Sequence, residues 1–210
     1  MDIVNNRAVI SGLIYGRVRK LTKYYDRTDM FLIQLLASRK SGVDDKAVVM
    51  FSVRDVFGME GLSENEIISQ LESGTRVCVT GKIQVMRNII DNQNDIYILA
   101  DSMFPGDQRA NNIKVKGILY SAPDLRKTPK GRQIANFIVS VPSEFDGARE
   151  SKVPVIAWYD NAQKASDIEV GEWIELEGRL QSRSYIKKYP DGVEVQKNIT
   201  ELSAFRIEKI

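Results

Sequence analysis

The chain has 210 residues, 43% hydrophobic and 28% charged, with no histidine, one cysteine and a formal net charge of +2; this is an ordinary folded composition, neither disordered nor fibrous. Without histidine it lacks the usual general base near neutral pH and the commonest metal ligand, and one cysteine supports neither a zinc site nor an internal disulfide. No apolar run approaches the ~20 residues of a membrane helix, and the N-terminus MDIVNNRAVI lacks the basic and apolar regions of a secretion signal, so a cytoplasmic protein is expected.

In chain order, RAVISGLIYG (7–16), MFLIQLLAS (30–38) and KAVVMFSV (46–53) alternate at period two and are rich in β-branched residues, which predicts three strands. LSENEIISQLESG (62–74) predicts a helix, with Ser63 and Glu66 as a capping box and Gly74 after its end. TRVCVTGKIQVM (75–86), with Cys78 as a buried thiol, and DIYILADSMF (95–104) predict two more strands. Asp44, Asp45, Asp91 and Asp95 are expected in hairpin loops as ordinary turn residues rather than metal ligands.

FPGDQRANN (104–112), punctuated by Pro105-Gly106, marks a boundary. Beyond it the order returns: IKVKGILY (113–120), QIANFIVSV (133–141) and VPVIAW (153–158) predict strands, with Pro154 at an edge or bulge. DNAQKASDIEVG (160–171) predicts a short helix capped by Asn161, and EWIELEGRLQSRSYI (172–186) a long strand that Pro190-Asp191-Gly192 turns into VEVQKNITELSAFRIEKI. The halves also echo each other in letters: NNRAVISGLIYG with NNIKVKGILYSA, and SGTRVCVTGKIQV with VGEWIELEGRLQS. A repeat of domain length indicates duplication rather than a solenoid.

Five strands with a helix between the third and fourth is the order of an OB-fold. The expected fold is therefore all-β: two tandem OB-fold barrels, each of five strands with one helix between strands 3 and 4, over residues 1–106 and 107–210. Gly81 and Gly178, inside the fourth strands, fit the sharp bend a closing barrel needs. Phe137 is expected in the core, and Trp173, on a strand face with Glu175 and Glu177, at a subunit or domain contact.

An OB barrel binds oligonucleotides on the face of strands two and three, between the loop joining strands one and two and the loop joining four and five. In the second half the first loop is APDLRKTPKGRQ, where Arg126, Lys127, Lys130 and Arg132 crowd together, and the other carries Lys187 and Lys188. Cations so placed suit phosphates. Phe145, Trp158, Tyr185 and Tyr189 lie beside these loops as flat side chains for base stacking. In the first half the corresponding loop offers Arg19, Lys20, Lys23, Tyr24 and Tyr25 as contacts.

NNIKVKGILYSAPDLRKTPKGRQIANFIVSV, followed by GEWIELEGRLQSRSYIKKYPDG, resembles the bacterial single-stranded DNA-binding protein family over most of residues 111–210. The resemblance implies the OB-fold, non-catalytic and sequence-tolerant binding of single-stranded DNA in replication, recombination or repair, no cofactor or metal, and about four barrels assembled together. Two barrels per chain then imply a homodimer and a nucleoid-associated location. Family stacking positions fall on Phe145 and Tyr185, family cations on Arg126 and Arg183. Two further stacking positions fall on Ser151 and on Ala157, beside which Trp158 would serve only if a one-residue bulge reversed its facing. The first half keeps the landmarks of the fold without the signature. The family's acidic C-terminal tail is not matched by FRIEKI, which suggests a specialised paralogue of a phage or mobile element. An alternative is an assembly scaffold of the replication or restart machinery with weak or lost DNA binding. RNA is an open alternative to DNA.

Overall fold

The computed structural model of the protein describes residues 6–21, 29–39, 41–87, 94–145, 149–188 and 192–210, with backbone alone at 187 and 197. The alternating segments of the first half become β1 (Asn6–Leu21), β2 (Met30–Ser38), β3 (Asp44–Ser52), β4 (Arg76–Arg87) and β5 (Asn94–Pro105). β1 pairs with β2, β2 with β3, β5 with β4 and β4 with β1, all antiparallel, while β3 and β5 run parallel, so the ring is closed. Between β3 and β4 lies α1 (Glu64–Gln70), whose Ser63 N–H donates to Glu66 Oε2 at 2.7 Å while Ser63 Oγ accepts from Glu66 N at 3.4 Å, the expected capping box.

The second half repeats the pairings. β6 (Asn111–Leu119), β8 (Gln133–Pro142), β9 (Glu150–Trp158), β10 (Trp173–Lys188) and β11 (Glu194–Lys209) follow the boundary, with α2 (Asp160–Ser166) between β9 and β10. β6 pairs with β8, β8 with β9, β11 with β10 and β10 with β6, and β9 runs parallel to β11. One strand was not expected: β7 (Asp124–Lys127) lies within the cation-rich stretch and pairs with the start of β8, from Asp124 opposite Asn136 to Lys127 opposite Gln133. Asn161 is not the cap of α2. Tyr159, at φ 54°, holds that position without a side-chain bond, and Asn161 donates to the Phe205 carbonyl at 3.0 Å.

The glycines mark where the rings bend. A Cβ on Gly81 would stand 2.1 Å from the Leu99 carbonyl oxygen, and one on Gly178 would stand 2.6 Å from that of Ser203. The ladder slips one residue at each, between Thr80 and Gly81 and between Glu177 and Gly178. Pro154 sits in an unbroken register with β8, outside the short stretch, Val155–Ala157, over which β9 meets β11. That edge position leaves its missing N–H without consequence. Side chains facing inward, among them Ile10, Phe51, Ile83 and Ile98 in the first ring and Ile113, Phe137, Val153 and Leu180 in the second, are nearly inaccessible. Each such burial contributes roughly 1.5–3 kcal/mol. Cys78 is 1% exposed, and burial pushes its thiol up, away from the reactive thiolate.

The rings share a sheet because β1 also pairs antiparallel with β6, Asn6 opposite Val115 and Ile10 opposite Asn111. An asparagine pins the same place in each: Asn6 donates to the Ile83 carbonyl at 2.8 Å and accepts from its N–H at 3.0 Å, and Asn111 does the same with Leu180 at 2.9 and 2.8 Å. Among the described residues no helix is long and apolar enough to cross a membrane.

Candidate nucleic-acid interface

The stretch Asp124–Gln133 is a hairpin rather than a loose loop. Thr128 N–H donates to the Arg132 carbonyl at 2.8 Å, Gly131 N–H to the Thr128 carbonyl at 2.8 Å, and Arg132 N–H to Thr128 Oγ1 at 3.1 Å. Gly131 takes φ 76°, a conformation that other residues enter at a cost. The turn thus fixes the backbone under Arg126, Lys127, Lys130 and Arg132, all exposed. Arg126 Nε stands 3.6 Å from Asp124, whereas Lys127, Lys130 and Arg132 have no ion pair among the described residues. Three such cations on one hydrogen-bonded hairpin concentrate positive charge of the kind that attracts phosphates.

The second expected wall is the far end of the β10–β11 ladder, where Ser182–Lys188 pair with Glu194–Thr200; there Ser182, Arg183 and Ser184 line a cavity with Gln34, Arg39 and Lys46 of the first ring. Lys187 and Lys188 therefore lie on a strand, not in a loop. Lys188 Nζ bonds Glu194 at 2.6 Å, and the side chain of Lys187 lies outside the described residues, as does Tyr189. Arg183 is committed elsewhere: its Nε donates to Glu201 Oε1 at 2.8 Å, and that carboxylate is 3% exposed. The Arg183 guanidinium also lies 5.7 Å from the ring of Tyr185, which is 41% exposed.

Beside the hairpin, through the pairing of β7 with β8, lies the outward face of β8 and β9. The β8–β9 register runs without a slip from Ile134 opposite Trp158 to Pro142 opposite Glu150. No bulge is present, so Ala157 points inward at 0% exposure and Trp158, by strand parity alone, points outward and is half-buried. The expectation that Trp158 needs a bulge to face outward is corrected: in the unbroken register Ala157 faces inward and Trp158 already faces outward. On the same parity as Trp158, Lys152 is exposed and its Nζ lies 3.6 Å over the ring of Tyr120, itself 46% exposed. Sequence reasoning missed both residues; the even spacing of Lys152 from Trp158 was the available signal.

Phe145 is not a stacking platform. At 4% exposure it packs against Met30, Met50, Met86 and Leu99, all from the first ring, so hydrophobic burial between the rings takes the face a base would use. Ser151 is likewise at the junction, 2% exposed, donating to Gln84 Oε1 at 3.0 Å. Asp45 is corrected as well: it lies on β3 at 0% exposure, bonded by Arg39 and Arg179, rather than in a solvated turn. Asp95 falls within β5, and Asp91 lies outside the described residues. In the first ring Arg19 is exposed on β1, while Lys20 is engaged by Glu64 at 2.7 Å and Asp29 at 3.8 Å, a contact that raises its pKa. Lys23, Tyr24 and Tyr25 lie outside the described residues. Among the described residues no cluster of three or more Cys, Asp or Glu could hold a metal ion.

Comparison with known proteins agrees with this geometry. Residues 110–210 match the profile of the Single-strand binding protein family, whose members are non-enzymatic DNA-binding proteins. The chain is 26% identical over 160 residues to the single-stranded DNA-binding protein of Thermus thermophilus, covering 66% of this chain and 59% of that protein. It is 32% identical over 80 residues to single-stranded DNA-binding protein 2 of Listeria innocua, covering 36% of this chain and 50% of that one. The chain thus spans about half to three-fifths of the length of these curated relatives. Its fold superposes on the crystal structure of wild-type single-stranded DNA binding protein from Thermus aquaticus with a TM-score of 0.69 at 21% identity, covering 98% of this chain and 92% of that one. A deletion mutant of the same protein gives a TM-score of 0.67 at 20% identity, covering 98% and 94%. By that match, residues 110–210, the second half of the chain, resemble the single-strand binding protein family.

Proposed function

We propose that this protein is a non-catalytic, sequence-tolerant binder of single-stranded DNA, built as two tandem OB-fold barrels over residues 1–106 and 107–210. The observation that carries the reading is the hairpin at Asp124–Gln133, where Lys127, Lys130 and Arg132 stand exposed and uncompensated beside an outward face bearing Trp158, with Tyr185 on the β10–β11 ladder. Phosphates bind the cations irrespective of sequence, and bases stack on the rings. Arg126 adds a partly neutralised charge, and Lys187 and Lys188 extend the β10–β11 ladder. Arg183 holds Glu201 and orients Tyr185 rather than offering a full charge. The first barrel contributes through Arg19 and through the segment holding Lys23, Tyr24 and Tyr25.

Coating of single strands serves replication, recombination or repair, in the cytoplasm at the nucleoid. A homodimer would bring four barrels together, and Trp173, 47% exposed within the chain, supports a subunit contact rather than a domain contact. A second reading, an assembly scaffold, draws support from the burial of Phe145 and Ser151 between the rings. The test is the fluorescence of Trp158 and Trp173 on adding oligo(dT), oligo(U) or a duplex. Saturable quenching by oligo(dT), weaker with the duplex, is expected; the oligo(U) arm decides the preference for DNA over RNA. Unchanged fluorescence in a Trp173→Phe variant that still assembles would favour the scaffold.

A further inference from the structure

The pairing of β1 with β6 relates the two rings by an approximate two-fold, so that each ring's third strand meets the other's fourth: β3 against β10 and β9 against β4. The two seams are alike in plan and unlike in chemistry. At β9 and β4 the buried hydrogen bonds are neutral: Ser151 Oγ accepts from Val85 N–H at 3.3 Å and donates to Gln84, and Phe145 packs with Met30, Met50, Met86 and Leu99. Lys82, one residue past Gly81, is matched there by Glu144 at 2.9 Å.

At β3 and β10 the corresponding cation is Arg179, one residue past Gly178, and it is not alone. Asp45 Oδ2 accepts from Arg39 Nε at 2.6 Å and from Arg179 Nη1 at 3.0 Å, and Asp45 Oδ1 accepts from Ser182 N–H at 2.8 Å. Against this cluster opens a cavity of about 510 Å³ lined by Arg39, Arg76, Arg109 and Arg179, with Ser38 and Ser41. Among the described residues Asp45 is the one carboxylate bonded to any of these four guanidiniums, and Arg76 and Arg109 have no ion pair. Burial, and then the charge of Arg39, lower the pKa of Arg179, whereas the bond to Asp45 raises that of Arg39. Four cations, two of them held by the one carboxylate, leave the cavity short of negative charge, and guanidinium forks match phosphate oxygens two at a time.

We propose that this cavity is a phosphate-binding site at the junction of the two rings, with Arg76 and Arg109 as its open donors and Arg39 and Arg179, set by Asp45, as its fixed wall. The chemistry is that of a phosphate group, supplied either by the backbone of a strand crossing from one ring to the other or by a free polyphosphate. The first source rests on the single-strand reading above; the second does not.

The test uses the full chain and two variants, Arg109→Ala and Arg76→Ala/Arg109→Ala, each checked for folding by circular dichroism. Arg109 is exposed in the segment joining β5 to β6, so its single variant leaves the core untouched. Inorganic pyrophosphate is titrated against thermal stability at constant ionic strength, and oligo(dT) affinity is measured across salt. Stabilisation by pyrophosphate that the double variant loses supports the site with free phosphate as its ligand. A salt slope for oligo(dT) lower by about 1.4 in the double variant, two contacts at about 0.7 each, supports it with the strand as its ligand. If pyrophosphate leaves wild-type stability unchanged and the variants keep the wild-type slope and affinity, the proposal is overturned. Failure of the wild type to bind oligo(dT) removes the single-strand reading alone, and the pyrophosphate arm then decides this one.

Discussion

Replacing Asp45 by asparagine removes one charge and almost no volume, and the structure says the chain should feel it. Asp45 is 0% exposed and joins β3 of the first ring to β10 of the second through Arg39, Arg179 and the Ser182 N–H. An asparagine oxygen can still accept from Ser182, so the loss is the counter-charge of two guanidiniums. Breaking a buried pair by removing one partner costs about 3–5 kcal/mol. The arginine side chains are 23% and 33% exposed and regain some hydration, which places the cost near the lower bound, about 3 kcal/mol. With a urea m-value of about 3 kcal/mol/M, the unfolding midpoint should fall by about 1 M. Because the pair is screened little by salt, the difference should persist in 1 M NaCl, where the Debye length is about 3 Å. A midpoint shift below about 0.2 M, the size of an exposed pair's contribution, would refute the claim that Asp45 clamps the rings together.

Other outcomes follow from the same geometry. Tyr185→Ala should weaken oligo(dT) binding by about 1–3 kcal/mol, read by fluorescence titration, if the ring stacks a base. Gly81→Ala places a methyl group 2.1 Å from the Leu99 carbonyl and should lower stability by about 1–3 kcal/mol in urea unfolding; an unchanged midpoint would mean that the bend is soft. Bonds from the Ser63 hydroxyl and then the Ser63 N–H hold the Glu66 carboxyl below the usual carboxylate range. A depressed folded value means that the contribution is full above the unfolded pKa of about 4.3 and is lost as pH falls through the lower folded value. Glu66→Gln should therefore destabilise at neutral pH and converge with wild type in acid, as followed by thermal melts; parallel curves at all pH would remove the charge from the cap.

Most of the fold was legible because period-two alternation and capping signals are local. The ten strands with an inward face announced themselves, as did the Ser63–Glu66 box and the glycines at the bends. β7 was hidden because all four of its residues are exposed, so no alternation marks DLRK, and its pairing with β8 depends on the turn at Thr128–Arg132. The site was legible where charge and position coincide, at Lys127, Lys130 and Arg132. It was illegible where the deciding partner comes from the other repeat. Phe145 looks like a loop aromatic until Met30, Met50, Met86 and Leu99 of the first ring enclose it, and Asp45 looks like a turn acid until Arg179 reaches it from β10. Trp158 was misjudged by one position of strand parity, which only an observed register settles.

The most direct test of the central claim is the affinity of the full chain for oligo(dT) measured across a salt series. The account predicts saturable binding whose logarithm falls linearly with log salt at about 0.7 per phosphate contact, a slope that Lys127→Ala/Lys130→Ala/Arg132→Ala reduces by about 2. Absence of saturable binding at low ionic strength, or an affinity indifferent to salt and to those three cations, would contradict it.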